Sequence, residues 1–130
     1  MANPNIVSVS SIYGESIAKG LTTDVTTVML TVAAEKLVKI NYIQVANLHS
    51  STATLVSVSV TKAGFTSAGV GSGDDEAGIQ FLADVVSCPG SDVLIVLDKP
   101  IYLMEGDNLE AGASIATADI FISYEVIDDA

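Results

Sequence analysis

The chain has 130 residues and a net charge of −11, from sixteen acids against five lysines. It contains no arginine and no tryptophan, one histidine (His49) and one cysteine (Cys88), while Val, Ile and Thr together supply 38 residues. One cysteine excludes an internal disulfide framework, and the acidic balance repels nucleic-acid phosphates and anionic lipid. A chain so poor in bases and nucleophiles and so rich in strand formers is expected to pack and assemble rather than to react. Neither an enzyme nor a bound cofactor is expected.

The opening Met1-Ala2-Asn3-Pro4-Asn5 lacks the basic region and apolar core of a secretory leader. Residues 1–12 are read as an extended N-terminal arm on a single domain spanning 1–130. About eight strands follow from period-two alternation and β-branched content. The first is Asn5 to Tyr13, and the second is Val25 to Ala33. Ala33-Ala34-Glu35-Lys36 reads as a hairpin turn. The third and longest strand, Leu37 to Leu48, is expected to put Val38, Ile40, Tyr42 and Gln44 on one face and Leu37, Lys39, Asn41, Ile43 and Val45 on the other. In the fourth, Leu55 to Lys62, Val56, Val58 and Val60 alternate with Ser57, Ser59 and Thr61, a strand with one face in and one face out. Ala18 to Thr23 is too short for a helix.

Ala63 to Gly78 is a long loop with five glycines and the run Asp74-Asp75-Glu76. The remaining strands are Ile79 to Ser87, Val93 to Leu97, a short pair around Glu105-Gly106-Asp107, and Ile120 to Ile127. Asp128 and Asp129 form an acidic tail. Asp92 to Asp98 holds too short an apolar run to cross a membrane. Many short strands with Gly, Asn and Asp turns predict an all-β, antiparallel β-sandwich, jelly-roll-like first and immunoglobulin-like second. The positive mean hydropathy of so small a domain implies surplus apolar surface and hence a homo-oligomer.

Residues with chemistry are few. Cys88, beside Pro89, reads as a small buried hydrophobe. His49 lies in a polar turn and lacks the companion ligands a zinc site needs. Glu105, Asp107 and Glu110 are hard-cation ligand types, yet acids beside a Gly-Asp turn are ordinarily solvated. Gly71 to Glu76 lacks the alternating acids of a calcium loop, and three adjacent carboxylates repel phosphate. Lys99-Pro100-Ile101-Tyr102-Leu103-Met104-Glu105-Gly106-Asp107-Asn108-Leu109 is the most specific local pattern. It reads as a hairpin turning at Gly106-Asp107, with Leu109 and Ala111 sharing a face on the return.

The opening Met1 to Val7, Ile12-Tyr13-Gly14, the strand Lys39 to Asn47 and Lys99 to Asp107, in that order and spacing, resemble small virion proteins of marine tailed phages, cyanophages among them. The resemblance spans most of the chain except the Gly-rich loop. It implies a β-sandwich virion component, a capsid decoration or cement protein made in the host cytoplasm. Such a protein binds the major capsid protein on the outer capsid surface as an oligomer, with a trimer favoured, and contacts neither nucleic acid nor membrane. No catalytic residue comes with it. The expected contacts are the arm (Asn3, Pro4, Asn5, Ile6, Val7 and Val9), which pairs with a neighbour's sheet edge, and the apolar strand faces, while Ala63 to Gly78 points away. The alternative is a tail-associated module binding host-surface glycans, which needs an exposed aromatic such as Phe65.

Overall fold

The structure, a computed structural model, describes residues 11–63 and 78–128. Among these residues nine strands form two antiparallel sheets with no helix: β1 (Ser11–Gly20), β2 (Val28–Thr31), β3 (Lys36–Asn47), β4 (Thr54–Thr61), β5 (Ile79–Cys88), β6 (Val93–Leu97), β7 (Ile101–Leu103), β8 (Asn108–Ala113) and β9 (Ala118–Asp128). The first sheet runs β1-β9-β3-β6, with β7 also pairing β3; the second runs β2-β8-β4-β5. Only β4 and β5 are both consecutive in the chain and paired. Most connections therefore cross from one sheet to the other, and the chain is an all-β sandwich.

The core lies between the sheets. Val38, Ile40, Ile43 and Val45 of β3 and Ile120, Ile122, Tyr124 and Val126 of β9 face Val56, Val58 and Val60 of β4 and Leu109, Ala111 and Ala113 of β8. Ile40, Ile43, Val45, Val56, Val58, Leu109, Ala111 and Ile122 are wholly inaccessible to solvent. Each buried aliphatic side chain contributes ~1.5–3 kcal/mol relative to exposure. Cys88 is also fully buried, beside the Val45 and Asp92 carbonyls.

Four expectations are corrected. The first described strand is Ser11–Gly20, so the strand expected to end at Tyr13 runs on through Ala18 to Gly20. In β3 the alternation does not run through. Ile40 pairs Tyr124 and Tyr42 pairs Ser123, which leaves Asn41 as an extra residue. This bulge reverses the phase, so Val38 and Ile40 share the core with Ile43 and Val45, not with Tyr42 and Gln44. In β4 the three valines point inward as expected, but Ser57 and Ser59 on the opposite face are buried too. The Asp24–Val25 backbone lies over that face: a Cβ on Gly112 would stand 2.5 Å from the Val25 Cα.

The fourth correction concerns Gly106-Asp107. Strands β7 and β8 flank the turn but belong to different sheets, so the turn is an arch between sheets and not a hairpin. Gly106 has φ +86°, which favours glycine. The Asp107 carboxylate, 1% exposed, is turned inward instead of outward. It accepts from the Met104 amide at 2.9 Å, the Ala63 amide at 3.0 Å and the Lys62 ammonium. The Val32 amide donates to the Asp107 carbonyl at 3.0 Å. The carboxylate thereby ties the arch to the end of β4, and the Asp107 main chain ties it to the end of β2. The same correction applies to Ala33 to Lys36: the turn forms, with Glu35 at φ 62°, but β2 and β3 belong to different sheets, so it too is an arch and not a hairpin.

Candidate functional site

Cross-strand partners in an antiparallel sheet share a face, so the register identifies what the first sheet turns away from the core. Across β1, β9, β3 and β6 one row reads Gly20, Asp119, Ala46, Val93, and the next reads Ala18, Phe121, Gln44, Ile95. A further row reads Gly14, Glu125, Lys39 and, on β7, Tyr102. Val93 is 48% exposed, Ile95 55%, Tyr102 46% and Phe121 40%. Four large apolar side chains thus stand in solvent on one sheet face. Its charges are nearly balanced: Lys39 lies 4.0 Å from the Glu125 carboxylate, to which the Asn41 amide also donates at 2.9 Å, and Asp119 remains. On a chain of net charge −11 this face is close to neutral.

A groove of about 450 Å³ crosses the face at Phe121, floored by Ala18, Gly20 and Ala46 and edged by Gln44, Lys19 and Asp119. The small side chains of β1 and β3 leave the space, and Phe121 walls it. An adjoining hollow of about 490 Å³ opens at the sandwich end between Leu48-His49-Ser50 and Ala116 to Asp119.

The edges of the sheets differ. β2 has 4 residues and a bulge, β6 has 5 residues and a register shift, and β7 has 3 residues. β5 has 10 residues but shifts register twice against β4, and Val85 within it adopts φ 54°, a strained conformation for a β-branched residue. β1 also has 10 residues, yet it pairs with β9 without a shift from Ser11↔Asp128 to Gly20↔Asp119. All of β1 is exposed except the half-buried Ile17, and no described strand pairs with its other edge. Bulges and shortness are ways of blocking an edge, and β1 has neither.

The titratable groups act as local ties. His49 Nδ1 accepts from the Ser51 amide at 3.2 Å and the Thr52 amide at 3.0 Å, so His49 holds the β3–β4 turn. Tyr124 donates to the Glu15 carboxylate at 2.7 Å; burial first, and then this carboxylate, push its hydroxyl up to about 12. Lys36 donates to Asp128 at 2.5 Å, which raises its ammonium above the usual lysine range. Two hydrogen bonds from Thr26 hold the Asp24 carboxyl below its usual value.

Glu105, Asp107 and Glu110 have separate engagements: Glu105 accepts from the Glu35 amide, Asp107 holds the arch, and Glu110 accepts from the Thr61 hydroxyl at 2.6 Å. Among the described residues no three His, Cys, Asp or Glu side chains stand together to hold a metal ion. The expected contact residues Asn3, Pro4, Asn5, Ile6, Val7 and Val9, the aromatic Phe65 and the Gly71 to Glu76 segment lie outside the described residues.

The β1 edge was missed from sequence because its ten residues do not alternate: Tyr13, Glu15, Ile17 and Lys19 share one face with mixed character, and the opposite face is mostly small. The chain matches no family model, no curated protein and no solved structure.

Proposed function

We propose that this chain is a structural protein of a phage particle: a capsid decoration protein that attaches as an oligomer to the major capsid protein on the outer capsid surface and stabilises the shell. The observation that carries this reading is the near-neutral outer face of the first sheet, where Val93, Ile95, Tyr102 and Phe121 stand exposed on an otherwise acidic chain. Apolar surface gathered on one face is stabilised by a partner, and the surrounding acids keep crowded copies soluble. The ordered resemblance to small marine-phage virion proteins supplies the particle. The arm, Asn3 to Val9, is the second contact, donated to a neighbour's edge.

The groove at Phe121 favours a second reading, a tail-associated module that binds host-surface glycans. An aromatic ring beside the Gln44 amide and the Asp119 carboxylate has the chemistry to stack on a sugar and accept its hydroxyls. Antibody labelling of purified particles under the electron microscope separates the two. Label over the whole head is the expected result. Label confined to the tail tip replaces decoration with glycan binding, and bare intact particles defeat both.

A further inference from the structure

We infer that β1 is the edge through which two copies of this chain join, antiparallel and about a two-fold axis at Ile17, so that their first sheets merge into one. The inference rests on the assembly reading above and names the partner and the register. A two-fold pair then takes the place of a trimer as the assembling unit.

Three observations lead there. The first is the edge itself. β1 is long, regular and exposed, whereas β2, β5, β6 and β7 are shortened, bulged or both. A long unblocked edge presents a row of backbone donors and acceptors to a second strand.

The second is the sequence along that edge. Gly14-Glu15-Ser16-Ile17-Ala18-Lys19-Gly20 is self-complementary about its centre. Antiparallel pairing centred on Ile17 sets Gly14 opposite Gly20, Glu15 opposite Lys19, Ser16 opposite Ala18 and Ile17 opposite itself. Every pair joins residues on the same face, as an antiparallel ladder requires. Two opposite-charge pairs form, one on each side of the axis, and such pairs stabilise a sheet. Centring on Glu15 would set two carboxylates against each other, and centring on Ser16 would set Glu15 against Ile17.

The third is the state of the side chains. Lys19 is exposed and makes no ion pair among the described residues, so its ammonium is available to a second copy. Glu15 accepts from the Tyr124 hydroxyl through Oε2, the one side-chain bond it shows among the described residues, which leaves Oε1 to accept from the lysine of the other copy. Ile17 stands half-buried beside Ile122 at the rim of the core. Ile17 of the second copy would cover what the rim leaves open. On the opposite face Gly14, Ser16, Ala18 and Gly20 are small, so the seam has no bulk to separate the strands.

The test is sedimentation equilibrium and native mass spectrometry on the full chain, with circular dichroism as the check on folding. Wild type is expected to be a dimer. Lys19→Glu and Glu15→Lys, which each set like charges opposite one another twice, are expected to weaken association about tenfold or more. The double exchange E15K/K19E restores the pairs and should restore the dimer. An equimolar mixture of the two single variants should give heterodimers, because each supplies the charge the other lacks. A monomeric wild type, a Lys19→Glu variant as tightly associated as wild type, or a folded double exchange that stays monomeric overturns the inference. Particle labelling reads the other proposal independently. Labelled heads with a monomeric wild type leave decoration standing without this pairing, and a charge-exchangeable dimer with bare particles leaves the pairing standing without decoration.

Discussion

Replacing Asp107 with alanine removes the acceptor on which the arch between the two sheets closes. The carboxylate is 1% exposed and serves the Met104 and Ala63 amides and the Lys62 ammonium. Lys62 keeps 35% of its side chain in solvent, so its charge rehydrates when the partner is lost. The two amides sit in part-buried bonds on exposed residues, so water recovers part of their loss, and each costs about 1 kcal/mol, the low end for a donor left without a partner. Together with the lost charge-assisted bond, Asp107→Ala is expected to destabilise by about 2–3 kcal/mol. That is a large share of the ~5–15 kcal/mol that holds a typical domain folded. The assay is equilibrium urea unfolding, read as a lower midpoint at unchanged slope. Asp24→Ala is the control: its carboxylate is exposed and, among the described residues, accepts from Thr26 alone, and its loss should leave the midpoint nearly unchanged. If the two variants unfold at the same midpoint, Asp107 does not hold the arch.

Further predictions come from the same geometry. Gly112→Ala drives a methyl into the Val25 Cα at 2.5 Å and should cost about 2–3 kcal/mol by the same unfolding assay, with the Asp24–Val25 segment displaced. Val85→Asn should stabilise by about 1 kcal/mol, because Val85 is 56% exposed at φ 54° and asparagine tolerates that conformation far better. Tyr124 has a folded-state pKa raised from 10.0 to about 12, so its protonated form is the one folding favours. That contribution is complete below the unfolded value and is lost as pH rises through the folded one. Between those values wild type should therefore lose more stability than Tyr124→Phe. Parallel alkaline limbs for the two proteins would contradict the Tyr124–Glu15 bond.

The sandwich was legible where one face is apolar and the other is not. The valines of β4 and the Ile120, Ile122, Tyr124, Val126 set of β9 announce both the strand and its buried side. The β3 pattern misleads because a bulge at Asn41 leaves no hydrophobic signature; only the pairing with β9 reveals the change of phase. Gly106-Asp107 has hairpin chemistry, yet its partners are Lys62 and Ala63, far away in the chain, and they turn it into an arch. The apolar outer face was hidden because Val93-Leu94-Ile95-Val96-Leu97 is apolar throughout, so neither side of β6 is marked. β1 was hidden for the opposite reason: it overhangs the sandwich, buries almost nothing and needs no alternation.

The central claim is that the outer face of the first sheet fastens this protein to a particle. Co-sedimentation of the purified chain with phage particles, wild type beside I95D/F121D, tests it most directly. Both positions are at least 40% exposed, so the variant should fold normally. The account predicts that wild type pellets with the particles and that the variant remains in the supernatant. Equal pelleting of the two, with the variant's fold verified, contradicts it.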